Sequence, residues 1–273
     1  IVIGTVTPDP QAGNPRPRAW RFFKQWREQW KQIGQKPLPR SVFAIINRYG
    51  FNSDGATKVA WRVQKAIQKG VDACLIISLG PNKTVVDDRP EADDYIDRVV
   101  THLLAAAEKF LVILRDGDGI EINISSLNTP GLRKIFLQLD DFLSAFTRGM
   151  QALCDQLQRS LPPLIIKIPP DDLEPNIVSA DTPEARQYQS ITKEQLRMIV
   201  RTAHQHGFCA IAGLNTTLDP FARILGYARE PDGTEKPMKI PDEYGGGVSG
   251  DPLYRIAIQV LQKLVDVMGE EKL

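Results

Sequence analysis

Five short runs of β-branched and apolar residues, each followed by a longer helix-like stretch, constrain this chain more than any other feature. They are IVIGTV (1–6), ACLIISLG (73–80), IEINISS (120–126), LIIKIPP (164–170) and FCAIAGL (208–214). Each is nearly continuous in apolar character rather than alternating, as parallel strands covered on both faces require. The stretches between and after them predict helices over roughly 54–69, 91–114, 134–159, 192–206 and 251–268. Such alternation specifies an α/β fold with a parallel sheet, either doubly wound or closed as a (β/α) barrel. No GxGxxG turn follows the first run, which weighs against the dinucleotide-binding version.

Polar residues gather where these runs end. Thr5, Thr7, Ser78, Asn123, Ser125, Ser126, Lys167, Asn215, Thr216 and Thr217 all sit at or just past an apolar run. In parallel α/β folds that end of the sheet carries the active site, because the βα loops and helix N-termini converge there. The plain alternative is that Ser, Asn and Thr cap helices and form turns. Five strand ends bearing amides, hydroxyls and one Lys favour a site.

Charge and cysteine usage narrow the function classes. Lys plus Arg is 34 against 33 Asp plus Glu, so the net charge of +1 gives no global pull toward nucleic acid or other polyanions. Cys74, Cys154 and Cys209 are scattered and odd in number, which argues against a disulfide framework or a metal knuckle. His204 and His206 stand two apart on a predicted helix and diverge, so no metal site is expected. Asp-Gly-Asp-Gly at 116–119 lacks the later ligands of a calcium loop and reads as a turn. No basic stretch followed by an apolar core signals secretion.

Three segments fall outside the strand–helix pattern. Residues 171–191 and 218–247 are rich in Pro, Asp, Glu and Gly and read as long loops, the second ending in a Gly-rich turn at 244–250. Such a turn before a helix can cradle phosphate or a flavin edge, and a plain hinge fits equally well. Residues 19–33 read as an amphipathic helix, with Ala19, Phe22, Phe23, Trp26, Trp30 and Ile33 on one face and Lys24, Arg27 and Lys31 on another. That face packs on the body of the fold or lies in a membrane surface, with nucleic-acid binding a weaker third reading because no recognised module accompanies it.

Longer strings are more specific. GTVTPDPQAGNPRPR (4–18), INRYGFNSDG (46–55), LGPNKT (79–84), INISSLNTPGLR (122–133), IKIPPD (166–171), LNTT (214–217) and GGVSGDPL (246–253) occur in an order and spacing that resemble the quinone-linked, class 2 dihydroorotate dehydrogenases. The resemblance covers the whole chain. It implies a (β/α)8 barrel enzyme that binds FMN, oxidises dihydroorotate to orotate and passes the electrons to quinone, in de novo pyrimidine (UMP) synthesis. It also implies a peripheral place on a membrane, the bacterial cytoplasmic face or the mitochondrial inner membrane, and otherwise a cytoplasmic protein. Residues 1–273 are then one partial FMN-binding barrel domain, with an amphipathic insertion at about 19–34.

Roles carry over by motif. Ser126 matches the base that takes the C5 proton of dihydroorotate, and a serine there, rather than cysteine, marks the quinone-linked class. Asn47, Arg48, Tyr49, Gly50, Phe51, Asn123, Asn128, Asn215 and Thr216 match the substrate cradle. Gly4, Thr5, Ser78, Asn123, Lys167, Ser249 and Gly250 match cofactor contacts, with Lys167 against the N1/O2 edge of the ring. Asn suits a pyrimidine because its amide offers one acceptor and two donors. A fixed cation beside the ring places charge where charge develops.

The sequence also departs from the family pattern. Ser78 stands where Asn is usual, Leu127 where Pro is usual, and Leu214 where a hydroxyl residue is usual. Only five βα units are evident, against eight in the family barrel. The chain begins at Ile1 inside a strand-like run, so the expectation is an incomplete copy of a longer chain. The first strand, which bears a substrate-binding Lys in the family, and the last two, whose Gly-rich turns hold the FMN phosphate there, are then missing, and the chain alone is expected neither to keep FMN nor to turn over. A non-catalytic barrel relative kept as a structural or assembly protein is the alternative, and an FMN reductase of another pyrimidine is a third.

Overall fold

The structure, a computed structural model, describes residues 1–23, 42–125, 130–173, 190–217, 224–229, 235–239 and 246–273. The five apolar runs form one parallel sheet. Its strands are β1 (Val2–Val6), β4 (Ile76–Leu79), β5 (Gly119–Ile122), β6 (Leu164–Lys167) and β7 (Ala210–Ala212). They lie side by side in that order, each pairing only with its sequential neighbours. Adding every new parallel strand to the far side of the last is how the wall of a (β/α) barrel is built. The fold is therefore of the α/β class that the alternation requires.

Helices cover one face of this sheet: α1 (Ala56–Gln68), α2 (Lys83–Val86), α3 (Tyr95–Leu111), α4 (Pro130–Leu137), α5 (Leu139–Gln156), α6 (Lys193–Gln205) and α7 (Asp251–Glu271). The stretch expected as one helix over 134–159 is two, broken at Gln138, whose φ of −122° and ψ of 36° leave the helical region. Ile77, Leu79, Ile120, Ile122, Leu164 and Ile166 join Phe110, Phe142 and Phe146 in the core beneath those helices. Each such side chain contributes about 1.5–3 kcal/mol on burial. Thr192 and Gln195 close a reciprocal capping box that starts α6.

The near-continuous apolar runs are not equivalent on their two faces. Residues of odd and even position alternate across a strand. Ile120, Ile122 and Ile124 enter the helix-covered core, while Glu121, Asn123 and Ser125 share the other face. Ser78 sits beside Glu121 in register.

A second, three-stranded sheet accompanies the first. β3 (Val42–Asn47) is flanked by β2 (Ala19–Phe23) and β10 (Gly247–Gly250), both antiparallel to it. This corrects the helix expected over 19–33: residues 19–23 are a strand, and 24–33 lie outside the described residues. A short run with aromatics at 20, 22 and 23 satisfies either periodicity, and the β partner at 42–47 decides between them. The Gly-rich turn expected at 244–250 likewise becomes strand β10 from Gly247 onward. Within the loop expected over 218–247, β8 (Ile224–Arg229) and β9 (Glu235–Lys239) are strands that pair antiparallel. No helix among the described residues is long and apolar enough to cross a membrane.

Candidate active site

The polar strand ends form a connected relay of side chains. Asn123, one residue past β5, donates its amide to Thr5 Oγ1 on β1 at 2.7 Å. Its carbonyl oxygen accepts the Ser125 hydroxyl at 2.9 Å. Asn215, past β7, donates to Ser125 Oγ at 3.2 Å and accepts from the backbone N–H of Thr216 at 2.9 Å. Asn123 and Ser125 are buried, and Thr5, Asn215 and Thr216 are half-buried. Four of the expected contacts, Thr5, Asn123, Asn215 and Thr216, thus fall in one cluster with Ser125.

Lys167 closes β6 on the same face, since it lies two residues beyond Ile165, the register partner of Glu121. It is half-buried, its backbone pairs with Ala212 of β7, and its ammonium is bonded to no described residue. A cation held in that position is free to meet an electron-rich ring edge. Ser78 is buried with its hydroxyl donated to Glu121 Oε1 at 2.6 Å. Gly4 is at φ +136°, and a Cβ on it would fall 2.3 Å from the Ser78 carbonyl oxygen, so only glycine fits this backbone approach.

The loop 47–51 is fixed from behind. Gln11 donates its side-chain amide to the carbonyls of Gly50 and Phe51 at 3.0 and 2.9 Å. Its own carbonyl oxygen accepts from Asn82 Nδ2 at 3.1 Å and Lys83 N at 2.9 Å. Asn14 donates to the Arg48 carbonyl at 2.8 Å, and the Arg48 guanidinium lies 5.4 Å over the Trp20 ring. The Phe51 ring packs so closely on Gly80 that a Cβ there would meet it at 2.9 Å. Tyr49 is 47% exposed.

Buried Asn82 also bonds His102 Nε2 at 2.8 Å. Burial pushes the His102 pKa down, with Asp9 opposing, so the neutral ring is favoured there. Downstream of the Ser126 segment, Tyr95 donates to the Gly131 carbonyl at 2.7 Å. Burial pushes that phenol up to about 12, so it remains a donor across the working range of pH.

Asn47, Ser249 and Gly250 belong to the smaller sheet. Ser249 donates to the Ile45 carbonyl at 3.2 Å, and Gly250 precedes α7 at φ +92°. Thr217 brings this sheet to the strand ends, through paired backbone bonds with Val248 of 3.1 and 2.8 Å. Its hydroxyl bonds Asp171, and both residues are fully buried. Ser126 and Asn128 lie outside the described residues.

Sequence reasoning passed over Gln11, Asn14, Asn82, Glu121 and Asp171 as site residues. Glu121 carried a visible signal, a charge inside an otherwise apolar run. The others are supporting residues whose partners lie in distant loops, and no local pattern announces them.

A family model described as dihydroorotate dehydrogenase matches residues 1–271. A Bordetella parapertussis protein named dihydroorotate dehydrogenase (quinone) is 31% identical over 99% of this chain and 60% of its own length. Proteins of the same name from Pseudomonas aeruginosa and a Roseiflexus species are 31% and 32% identical, over 98% and 96% of this chain. The chain spans 60% of the Pseudomonas protein's length and 54% of the Roseiflexus protein's.

Proposed function

The chain belongs to the dihydroorotate dehydrogenase family, and on that premise we propose that it takes part in oxidising dihydroorotate to orotate, with FMN as cofactor and a quinone as final acceptor, in pyrimidine synthesis. The observation that carries the reading is the relay Thr5–Asn123–Ser125–Asn215–Thr216 beside the uncommitted Lys167. Its donors and acceptors suit a planar amide-bearing ligand, and the Lys167 ammonium suits a ring that gains negative charge.

Within this reading Gly4, Thr5, Ser78, Asn123, Lys167, Ser249 and Gly250 hold the flavin. Bound FMN would supply the two-electron acceptor and hand the electrons on to quinone. Asn47, Asn123, Asn128, Asn215 and Thr216 orient the substrate ring, with Arg48 to Phe51 forming the adjoining wall. Ser126 takes the C5 proton. A hydroxyl is a weak base, so the step relies on a shielded site and a relay that orients its neighbours. A quinone dissolves in the bilayer, which supports a setting at a membrane surface.

The test is dihydroorotate-dependent reduction of a short-chain quinone by the purified intact protein. The enzyme reading expects a yellow protein that turns over, with Ser126→Ala keeping its flavin absorbance and losing about 10²-fold or more in rate. A colourless protein inert to dihydroorotate would favour the non-catalytic relative instead.

A further inference from the structure

Strand β5 carries a carboxylate that the foregoing reading leaves unused. Glu121 is only 4% exposed, on a strand whose neighbouring residues are Ile120 and Ile122. Ser78 satisfies one oxygen, Oε1, at 2.6 Å. The other, Oε2, takes no bond from any described residue, and it is not sealed away among the buried unpaired atoms. A nearly buried carboxylate with an open oxygen is costly to keep unless a donor arrives to meet it.

The strand geometry says where that donor would come from. Glu121 precedes Asn123 by two residues and so shares its face, one step deeper into the sheet. On the next strand, Ile165 is its register partner and Lys167 lies two residues beyond. The carboxylate therefore sits below Asn123 and one strand across from the cation. The substrate-side groups Asn47, Asn215 and Thr216 come from beyond the strand ends, farther out. A ligand that touches Glu121 lies against the sheet, where the cofactor ring is assigned.

We propose that Glu121, fixed by Ser78, is a cofactor-binding residue that accepts the imide N–H of the flavin ring. The inference rests on the flavin reading given above. The flavin carries its N3–H next to the N1/O2 edge assigned to Lys167, so the acceptor and the cation serve adjoining edges of one ring. A carboxylate accepts such a bond more strongly than an amide does. It also places a negative charge near the ring, opposing Lys167, so Glu121 lowers the tendency of the bound flavin to take electrons.

The experiment titrates the intact apoprotein with FMN and with FMN methylated at N3. The parent is expected to bind the methylated flavin about tenfold or more weakly, the scale of a lost charge-assisted hydrogen bond. Glu121→Ala should bind FMN about tenfold to a hundredfold more weakly and lose the discrimination between the two flavins. Glu121→Gln keeps an acceptor and drops the charge, so it should hold FMN within about threefold and raise the flavin midpoint potential. Equal binding of both flavins by the parent overturns the proposal, and needs no variant to fold. Unchanged FMN affinity in Glu121→Ala overturns it as well, as does an unchanged potential in Glu121→Gln. A parent that binds neither flavin overturns the flavin reading itself, a result distinct from binding without discrimination.

Discussion

Asn123 and Thr5 are 118 residues apart in sequence and joined by a 2.7 Å side-chain hydrogen bond. The bond crosses β4, which lies between their strands in the sheet, so it ties three neighbouring strand ends into one rigid edge. Thr5, Asn123, Ser125 and Asn215 then behave as one polar unit rather than as separate caps. That unit is what distinguishes a site from a row of turn formers.

Thr5→Val and Asn123→Ala remove the two ends of this bond. Each should lower stability by about 1–3 kcal/mol, because a buried polar group is left short of a partner. The double variant should cost less than the two singles combined, by about 0.5 kcal/mol or more. Urea unfolding of the four proteins checks this, and strict additivity would mean the residues act independently.

Thr217→Val keeps the side-chain shape and deletes the hydroxyl that bonds fully buried Asp171. The expected loss is about 1–3 kcal/mol of stability. Because Thr217 also pairs with Val248 and adjoins Thr216, orotate binding should weaken more than flavin binding does. Thr217→Ser, which restores the hydroxyl, should recover most of both.

Gly80→Ala tests the packing of the 47–51 loop. The new methyl would stand 2.6 Å from Thr5 Cγ2 and 2.9 Å from the Phe51 ring, so one of them must move. Overpacking of this sort costs about 1–3 kcal/mol. Orotate affinity should fall with it, and Phe51→Leu in the same background should restore part of the loss.

Acid should weaken the end of the sheet opposite the site. Burial pushes the Asp118 carboxyl up, but the Arg115 guanidinium and the backbone N–H groups of Leu75 and Arg115 outweigh it and hold the pKa below its ordinary 3.8. A carboxylate depressed in the folded state contributes stability above its unfolded value, and that contribution is lost as pH falls through the folded one. The urea midpoint should therefore drop below about pH 4. Asp118→Asn should be less stable at neutral pH and should show a shallower acid decline. An unchanged acid limb would assign the loss to other carboxylates.

Much of the architecture was legible because it is local. The five apolar runs became the five parallel strands, and the helix periods between them became helices, with the break at Gln138 the main internal difference. Lys167, Asn123 and Ser78 could be placed at strand ends for the same reason. The segment 19–23 misled because its aromatics serve a strand or a helix equally, and the deciding partner at 42–47 is invisible to any local window.

The α/β class, the strand-end positions of the polar residues and the family resemblance all follow from local pattern in the chain. Which of those ends meet is settled by the packed fold. Asn215 reaches Ser125 across 90 residues, and Thr217 meets Val248 through backbone pairing between segments with different strand directions. Glu121 faces the site side rather than the core because strand register sets the phase of its alternation. Propensity and periodicity act over a few residues, whereas strand order and register are settled by burial of the whole core at once.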